Sequence, residues 1–593
     1  MHASGMDNPE YFHRVIDCQY ACPAHTPVPE YIRLISEKRY DEAYLLNWHS
    51  NVFPGILGRV CDRPCEPACR RGRVEKEPVA ICRLKRVCAD NREPGIEVRF
   101  PAIPEEKNGK RIALIGAGPA SLTVACDLAP LGYSLDLYDD QDAGGGFMRS
   151  QLPSFRLPDE VLQEEVDYIL NMGIHTHFNH YVDSMAAMLT KGYDAIFVGT
   201  GAPRGRDLDL PGRREGEAAI HVGIEWLAGV IFGHVHRIGR RVLVLGGGNT
   251  AMDCCRTARR LGGEDVRIVV RSPRADMKAS PWEIEDALHE DIPIFDNHVP
   301  KEFVLEKGKL IGMRFQQVRA EYDEKGRRRL VPLEKEPIFM PCDEVLLAVG
   351  QLNAFPWIEE GLGIDFNEQG LPVLGPGTYQ STLPQVFFGG DAAYGPKNII
   401  TAVAHGHEAA ISIDLFCQGL PLDLRPNSSF SLSSQQMGRQ DWLYNNQVSD
   451  TQRQAVPTAP KAKTLRDRLV EVELGFDRDH GRKESYRCLN CDVQTIFYAQ
   501  ECIECDACAD ACPLTCISFV PDGPEEELRT RLRAPAGNTA QALYISGPLA
   551  TGKVMVKDEN LCVHCGICAE RCPTSAWQMQ KFFYQTPRAG QKA

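Results

Sequence analysis

Two glycine-rich turns, each between a strand and a helix, and three cysteine-rich stretches predict a multidomain α/β protein. We expect an α-helical domain at the N-terminus, two α/β Rossmann-like domains in the middle and an α+β domain at the C-terminus. At 593 residues the chain is too long for a single domain. The expected boundaries are 1–104 for the helical domain, 105–230 with 370–424 for a split first α/β domain, 231–369 for the second, 425–483 for a linker and 484–593 for the α+β domain.

The two cysteine runs near the C-terminus share the spacing C-x2-C-x2-C-x3-C-P, at residues 502–513 and 562–573. This spacing is typical of bacterial ferredoxins with two [4Fe–4S] clusters, in which the fourth cysteine of each run binds the other cluster. Zinc or disulfides fit less well, because zinc sites usually stop at two paired ligand groups. The first ferredoxin set is therefore Cys502, Cys505, Cys508 and Cys572, and the second ferredoxin set is Cys562, Cys565, Cys568 and Cys512.

Composition narrows the classes of function. The net charge of −14 makes a nucleic-acid partner improbable. No run of 18 apolar residues occurs, so no membrane span is expected, and the N-terminus lacks the apolar region of a signal peptide. The 23 cysteines cluster in metal-ligand spacings rather than in a disulfide framework, which predicts a reducing, cytoplasmic location.

The first glycine-rich turn, GAGPAS at 116–121, follows a predicted strand and opens a helix. Its first glycine permits the tight turn, and its second lets the backbone approach a pyrophosphate at the helix N-terminus. Serine replaces the third glycine but is small enough for close packing. An acid ends the second strand about 20 residues later, where it binds ribose hydroxyls. The predicted dinucleotide contacts are Gly116, Gly118, Pro119, Ala120, Ser121 and Asp139.

The second turn, GGGNTA at 246–251, repeats this pattern, but its second strand ends in arginine rather than in an acid. An acid there repels a 2′-phosphate, whereas arginine pairs with one, so NADP(H) is favoured over NAD(H). The alternative is that these arginines are merely solvated. The predicted contacts are Gly246, Gly248, Asn249, Thr250, Ala251, Arg271 and Arg274.

Two Rossmann units in one chain suggest that the first binds FAD and the second a pyridine nucleotide. A later strand–turn–helix contains Gly389, Gly390 and Asp391. It resembles the late flavin motif of oxidoreductases with two dinucleotide domains, which implies that Gly390 and Asp391 contact the ribityl chain. The strand ends at 193–202 and 343–351 resemble the crossover strands that join such domains.

Seven cysteines precede the first turn. Together with GAGPASL, SFRLP, GGGNTAMD and GGDAA, residues 10–420 resemble the glutamate synthase small subunit, the N-terminal half of dihydropyrimidine dehydrogenase and the large subunit of NADH-dependent ferredoxin:NADP reductase. The resemblance implies a helical iron–sulfur domain with two [4Fe–4S] clusters, followed by FAD and NADP(H) domains. The cysteines are Cys18, Cys22, Cys61, Cys65, Cys69, Cys82 and Cys88.

The chain departs from this family in lacking a cysteine pair before Cys18, yet an RCLNC motif occurs at 487–491. We expect this pair to fold back. The mixed set is then Cys18, Cys69, Cys488 and Cys491. The N-terminal set is Cys22, Cys61, Cys65 and Cys82, since Lys85, at the place of a non-cysteine family ligand, cannot bind iron. The alternative is a small zinc-type knuckle at 488–491 and a single N-terminal cluster.

The remaining cysteines are interpreted as packing thiols. Cys254 and Cys255 are adjacent, whereas redox-active dithiols are spaced C-x-x-C, which argues against a thiol–disulfide reductase. The polar segment 425–465 is interpreted as a linker, with a docking arm as the alternative.

The parts together predict an oxidoreductase. A pyridine nucleotide exchanges two electrons as a hydride and an iron–sulfur cluster exchanges one, so a flavin belongs between them, and no conventional catalytic residue is expected. We expect a subunit of a redox complex, whose partner is ferredoxin or a 2-oxoacid:ferredoxin oxidoreductase. The alternatives are a glutamate synthase-like electron donor and an electron-wiring scaffold with a degenerate nucleotide site. The direction of flow, electron bifurcation, the final substrate and the oligomeric state stay open.

Overall fold

The computed structural model describes residues 9–432 and 451–591, so residues 433–450 of the predicted linker lie outside the described residues. The chain divides into two compact units. The first contains the described parts of Met1–Pro101, Gln418–Val456 and Gly475–Ala593, and the second contains Ala102–Cys417 and Pro457–Leu474. Both ends of the chain therefore share one unit, while the two α/β domains share the other.

The N-terminal part of the first unit is helical, as predicted. Helix Val28–Ser36 has a proline in its first turn, which suits the fixed φ of that residue, and it buries Tyr31 and Ile32. The Tyr31 hydroxyl donates to the carbonyl oxygen of Ile81 at 3.1 Å, which ties two helices together. The helices are Pro9–Arg14, Asp17–Tyr20, Val28–Ser36, Tyr40–Asn51, Pro54–Val60, Cys65–Ala68 and Ile81–Asn91.

The C-terminal part of this unit consists of two three-stranded antiparallel sheets and short helices. One sheet has the order Ser429–Leu432, Trp577–Gln585, Val493–Phe497, and the other Ile517–Pro521, Lys553–Lys557, Tyr544–Ile545. The helices are Arg478–Ser485, Ala507–Asp510, Glu525–Thr530 and Ile567–Arg571.

An N-terminal helix completes the core of this C-terminal part. Phe12 is buried and stacks on Phe430 and Phe582, with ring centroids 5.5 and 5.1 Å apart. Tyr11 packs in the same cluster beside Tyr544. Because aromatic rings bury large apolar areas, these contacts bind the two ends of the chain into one folded unit.

The second unit contains two parallel five-stranded sheets, which confirms the predicted fold class. In the first sheet, strands run Val386–Phe388, Ala195–Val198, Arg111–Ile115, Ser134–Tyr138 and His175–His177. Its helices are Pro119–Leu128, Phe147–Ser150, Asp159–Leu170, Met185–Thr190, Asp391–Tyr394 and Ile399–Cys417. The strand from the late motif joins strands that lie far earlier in the chain, so this domain is split in sequence.

The second sheet has the order Ile220–Val222, Glu344–Leu347, Arg241–Leu245, Asp265–Val269 and Ile294–Phe295. Its helices are Gly223–Ile231, Asn249–Arg260 and Pro281–His289. An antiparallel layer of His298–Glu306, Lys309–Tyr322, Arg328–Pro332 and Ile338–Pro341 packs beside it. Arg204–Gly205 pairs with Gln351–Leu352 between the two sheets. This domain thus begins upstream of residue 231, the boundary that we placed from sequence.

Part of the predicted linker is an ordered arm. Residues 457–474 belong to the second unit, where the backbone N–H of Val472 donates to the carbonyl oxygen of Phe155 at 2.9 Å. Lys461, in the short helix Lys461–Thr464, pairs with Asp291. Within the described ranges, no helix is both long and apolar enough to cross a lipid bilayer.

Candidate functional site

The first glycine-rich turn follows strand Arg111–Ile115. Gly116 has φ +91°, and a Cβ on it would lie 2.7 Å from the carbonyl oxygen of Gly199, so the turn requires glycine. At Gly118 a Cβ would meet nothing nearer than 3.7 Å, which leaves room for a ligand above the helix N-terminus. Asp139 accepts a hydrogen bond from the backbone N–H of Ala117 at 2.6 Å, and burial raises the pKa of this acid to about 6. These residues fit a dinucleotide pyrophosphate and ribose.

The helix Pro119–Leu128 packs closely on the same sheet. A Cβ on Gly199 would lie 2.2 Å from the Ser121 hydroxyl oxygen, so the small serine serves the packing role of the missing third glycine. Pro119 and Ala120 form the first turn of the helix.

The late motif lies at the end of strand Val386–Phe388. Gly390 has φ +59° and ψ −146°, which favours glycine, and Asp391 begins the next helix. The Asp391 carboxylate accepts from the backbone N–H of Lys397 at 2.9 Å, and burial raises its pKa to about 6. Asn353, which the sequence did not single out, donates to the carbonyl oxygen of Asp391 at 2.7 Å. The crossover segment therefore braces the acid that we predicted to contact the flavin.

The second glycine-rich turn has the same construction. A Cβ on Gly246, where φ is +143°, would lie 2.1 Å from the carbonyl oxygen of Ala348, whereas one on Gly248 would meet nothing within 4 Å. Helix Asn249–Arg260 follows, with Thr250 and Ala251 in its first turn. Asn249 accepts from the backbone N–H of Ser280 at 2.8 Å, which fixes the loop opposite.

Arg271 and Arg274 follow strand Asp265–Val269, and both are exposed. Neither side chain forms an ion pair with another residue in the described parts of the chain. The backbone N–H of Arg274 donates to the Asp296 carboxylate at 2.9 Å, which holds the loop in place. Two exposed guanidinium groups at a strand end beside a glycine-rich turn suit a 2′-phosphate.

Arg156, in the SFRLP motif, connects the two α/β domains. Its guanidinium donates to both oxygens of Asp253, at 2.7 and 2.9 Å, and also pairs with Glu283. Asp253 lies on the helix after the second turn, and its side chain is 3% exposed. Both bonds to Asp253 come from Nη1, and Nη2 pairs with Glu283, so one buried guanidinium ties its loop to two helices of the other domain. The SFRLP motif gave no sign of this contact in the sequence.

The mixed set surrounds one cavity of the first unit. Cys18, Cys69, Cys488 and Cys491 all line it. Burial raises the pKa of Cys18, as do the thiols of the other three members. Four buried thiols that oppose one another's ionisation fit a metal cluster, which binds thiolates and relieves this repulsion.

Two arginines hold the fold-back in place. Arg487, whose side chain is 0% exposed, donates to the carbonyl oxygens of Pro78 and Glu77 at 2.9 and 2.8 Å. Arg33 donates to Asn490 at 2.9 Å and forms a buried pair with Asp492. The cysteine pair is thus anchored from both sides to the helical domain.

The N-terminal set lies around Lys85. Burial, Glu66 and the thiols of Cys22 and Cys82 raise the pKa of Cys65, and Cys61 is hydrogen-bonded to Cys82. Burial alone would lower the pKa of Lys85, but the attraction of all four thiols raises it. The structure therefore places a buried cation beside this set, at the position from which we excluded a ligand.

The second ferredoxin set also lines one cavity, whose wall includes Cys512, Cys562, Cys565 and Cys568. Cys516 lines it too, with its sulfur 3.4 Å from that of Cys512. We had interpreted Cys516 as a packing thiol because it has no partner at ligand spacing. It is buried, and only the fold reveals its position against the set.

The first ferredoxin set is nearer the surface. Burial and the Cys502 and Cys572 thiols raise the pKa of Cys508 to about 11, and Cys505 is exposed. The thiols of Cys572 and Cys505 likewise raise the pKa of Cys502. The structure places Cys572 near Cys502 and Cys508, and Cys512 in the cavity of the second ferredoxin set. The crossed pattern, in which the fourth cysteine of each run binds the cluster of the other run, stays a prediction.

Comparison with known proteins places these sites in a family. Residues 110–406 match the pyridine nucleotide-disulphide oxidoreductase family, residues 13–95 match dihydropyrimidine dehydrogenase domain II with a 4Fe-4S cluster, and residues 501–576 match the 4Fe-4S dicluster domain. The NADPH glutamate synthase small chain of Escherichia coli is 31% identical over 67% of this chain and 87% of its own length. The chain belongs to the glutamate synthase small-chain-like iron–sulfur flavoproteins. The resemblance stated from sequence is confirmed.

Two further relatives of this flavoprotein match a larger share of the chain. The β subunit of an NADP(+)-dependent formate dehydrogenase from Moorella thermoacetica is 35% identical over 80% of this chain and 70% of its own length. The β subunit of an NADPH-Fe(3+) oxidoreductase from Geobacter sulfurreducens is 30% identical over 82% and 77%. The flavoprotein is an oxidoreductase with FAD, NADP(H) and [4Fe–4S] clusters as cofactors.

Proposed function

We propose that this chain is the subunit of a redox complex that exchanges electrons between NADP(H) and a partner protein. The observation that carries the proposal is the contrast between two glycine-rich turns in one compact unit, one facing an acid, Asp139, and the other facing arginines. When bound, FAD would exchange one hydride, which carries two electrons, with the nicotinamide and single electrons with [4Fe–4S] clusters.

The nucleotide-binding residues are the ones predicted above. The turn at 116–121, Asp139 and Asp391 hold the flavin nucleotide, and the turn at 246–251 holds the pyridine nucleotide. Arg271 and Arg274 bind the 2′-phosphate. Arg156 orients one domain against the other through Asp253. The protein positions the two nucleotides, and we expect no conventional catalytic residue.

Four cysteine sets would hold four clusters. The fit rests on chemistry, because each set offers four thiols. Asp17 lines the cavity of the mixed set, and Glu559, with His564, lies close to Cys562 of the second ferredoxin set. Thiolates are the ligands that iron–sulfur clusters take.

The loop around Cys505 fits the surface that meets the partner. Ile503 is 62% exposed, and the acids Glu501, Asp506 and Asp510 are exposed around it. Acidic groups around an apolar side chain complement a basic rim around an apolar pocket. We infer that the partner carries such a patch.

Two observations bear on the class of the partner protein, namely the sequence motifs and the relatives. The sequence favours a 2-oxoacid oxidoreductase or ferredoxin, while two relatives are the β subunits of a formate dehydrogenase and of an Fe(3+) oxidoreductase. A catalytic dehydrogenase subunit as partner agrees with the sequence-based expectation and with the names of the two relatives. Mixing the anaerobic holoprotein with each purified candidate and its substrate, and following flavin bleaching, distinguishes these classes.

The first experiment is anaerobic reduction of the purified holoprotein by NADPH and, separately, by NADH. Flavin bleaching and the broad iron–sulfur absorbance are followed together. We expect NADPH to bleach both, and faster than NADH does. If neither nucleotide bleaches the flavin, the pyridine site is degenerate, and the electron-wiring scaffold replaces this proposal.

A further inference from the structure

Arg70 is a buried guanidinium that touches two cysteine sets of the first unit. It follows Cys69 in the chain and lines the cavity of the mixed set. Its Nη1 donates to the carbonyl oxygen of Cys562 at 2.8 Å, and Cys562 belongs to the second ferredoxin set. Arg70 is therefore bonded to the backbone of one cysteine in each set, covalently to Cys69 and by a hydrogen bond to Cys562.

The guanidinium is held on every side. Nε donates to the Asp17 carboxylate at 2.8 Å, Nη2 to the carbonyl oxygen of Val15 at 3.0 Å, and Nη1 also to that of Glu559 at 2.6 Å. The side chain is 0% exposed. A buried charge is costly unless each donor finds a partner, and here all three nitrogens do. Arg70 thus fixes the separation and orientation of the two sets.

The surroundings of the two ferredoxin sets differ. Lys557 lines the cavity of the second set and donates to Thr495 at 2.9 Å and to Glu559 at 2.6 Å, with its side chain 1% exposed. The first set instead includes the exposed Cys505. Buried cations lie beside the second set and solvent beside the first.

We propose that Arg70 is the positioning residue that makes the mixed set and the second ferredoxin set consecutive members of the electron relay. The second set then receives electrons inside the unit, and the first set, with exposed Cys505, delivers them. The rate of electron transfer falls steeply with distance and is higher along bonded atoms than through empty space. The path from Cys69 through Arg70 to Cys562 consists of covalent bonds and one hydrogen bond. The step moves one electron, breaks no bond and needs no proton.

This inference rests on the proposed function, in which NADPH supplies the electron pair. Its test uses the full-length holoprotein with Arg70→Gln and, as a matched control, Arg73→Gln. Arg73 lies on the same turn and pairs with the same Asp17 at 3.0 Å, but its side chain is 28% exposed. Its only other bond in the described chain is a 3.4 Å contact with the Glu559 carbonyl oxygen.

Three quantities are measured: iron content, the midpoint potential of each cluster by electron paramagnetic resonance, and the rate at which ferredoxin signals appear after rapid mixing with NADPH. For Arg70→Gln we expect full iron and unchanged flavin bleaching. Ferredoxin signals should appear at least about tenfold more slowly, and the second-set potential should fall, because a cation that favours the reduced cluster is lost. Arg73→Gln should match the wild type. Arg70→Gln with wild-type iron, potential and rate overturns the proposal.

Wild-type spectra supply a test that needs no variant. In protein reduced photochemically rather than by NADPH, the mixed-set signal and one ferredoxin signal should broaden each other, as neighbouring spins do. Two independent signals overturn the role of Arg70 even if the variant fails to assemble. Failure of NADPH to bleach the flavin while this broadening persists contradicts the proposed function alone.

Discussion

At the residue scale, the two nucleotide sites differ chiefly in what ends the second strand. Asp139 hydrogen-bonds to its own glycine-rich turn, whereas Arg271 and Arg274 extend into solvent. Asp139 and Arg271 each follow the second strand of their domain. The same strand–turn–helix–strand unit therefore carries a negative charge in one domain and a positive charge in the other. We therefore expect the charge at Arg271 and Arg274 to decide between NADPH and NADH.

Replacing both arginines by serine should weaken NADPH binding about 10- to 100-fold, because each charge-assisted bond contributes about 1.5–3 kcal/mol and exposure reduces that figure. NADH binding should change little. Dissociation constants from flavin-site fluorescence or equilibrium dialysis measure this. The control is Arg267→Ala, since Arg267 lies on the same strand but pairs with Asp265 at 2.6 Å. Equal losses for both nucleotides would contradict the assignment.

Asp391 supplies a prediction about pH. Burial raises its pKa from 3.8 to about 6, so the folded flavin-free chain favours the protonated acid. That stabilisation is complete below the unfolded pKa and is lost as pH rises through 6. Between pH 5 and pH 7.5, Asp391→Asn should therefore gain about 1.4 kcal/mol of stability relative to the wild type, because only about one pKa unit of the shift lies in that window, at 1.36 kcal/mol per unit.

Urea unfolding of the flavin-free chain at the two pH values measures this difference, with the exposed Asp183→Asn as control. A difference that does not change with pH would show that the carboxylate is not destabilised by burial. The same variant should bind FAD more weakly if Asp391 contacts the ribityl chain.

At the element scale, the segment 487–492 is the most informative. Its anchors, Arg33 and Arg487, bond to partners hundreds of residues away along the chain. Arg487 directly precedes Cys488, so the motif contained part of the anchor, but nothing in the local pattern marks Arg33 as its partner. Long-range neighbours of this kind are set by tertiary packing and not by periodicity.

Replacing Cys488 and Cys491 by serine should remove about four irons per chain, the content of one [4Fe–4S] cluster. The other clusters should remain, because their thiols lie in other sets. Iron analysis together with electron paramagnetic resonance checks this, and the buried Cys88→Ser, outside all four sets, is the control. Unchanged iron in the double variant would support the zinc-type knuckle instead.

Secondary-structure elements could be predicted from the sequence better than the tertiary contacts between them. The strand–turn–helix units and the ferredoxin-type domain could be predicted because each depends on spacing within a short segment. The bond from Arg70 to Cys562, the brace of Asn353 on Asp391 and the pair of Arg156 with Asp253 could not, since their partners are distant in sequence. The arm at 457–474 was interpreted as linker because its polar composition conceals backbone pairing.

At the scale of the whole molecule, the chain folds as two units, one for the nucleotides and one for the cysteine sets. The nucleotide unit interrupts the sequence of the other. Both chain ends share a core in which Phe12 stacks between aromatic side chains of the C-terminal part. The unit should therefore unfold as one.

Phe12→Ala should lower the free energy of unfolding of the first unit by about 3–5 kcal/mol, the usual cost of removing a buried aromatic ring. Tyr20→Ala, at a ring that is 42% exposed, should cost less than about 1 kcal/mol. Loss of iron–sulfur absorbance on heating measures the unfolding of the first unit, and release of the flavin measures the unfolding of the second. Similar midpoints for the two variants would show that the N-terminal helix does not contribute to the shared core.

The fold-back also bears on biosynthesis. Residues 488 and 491 leave the ribosome long after residue 18, yet they form part of the same cavity wall. A nascent or truncated chain presents at most half of that wall, while the nucleotide domains between are already complete. Assembly of the mixed set therefore requires synthesis at least to residue 491, whereas a shorter chain already contains both glycine-rich turns and all four cysteines of the N-terminal set.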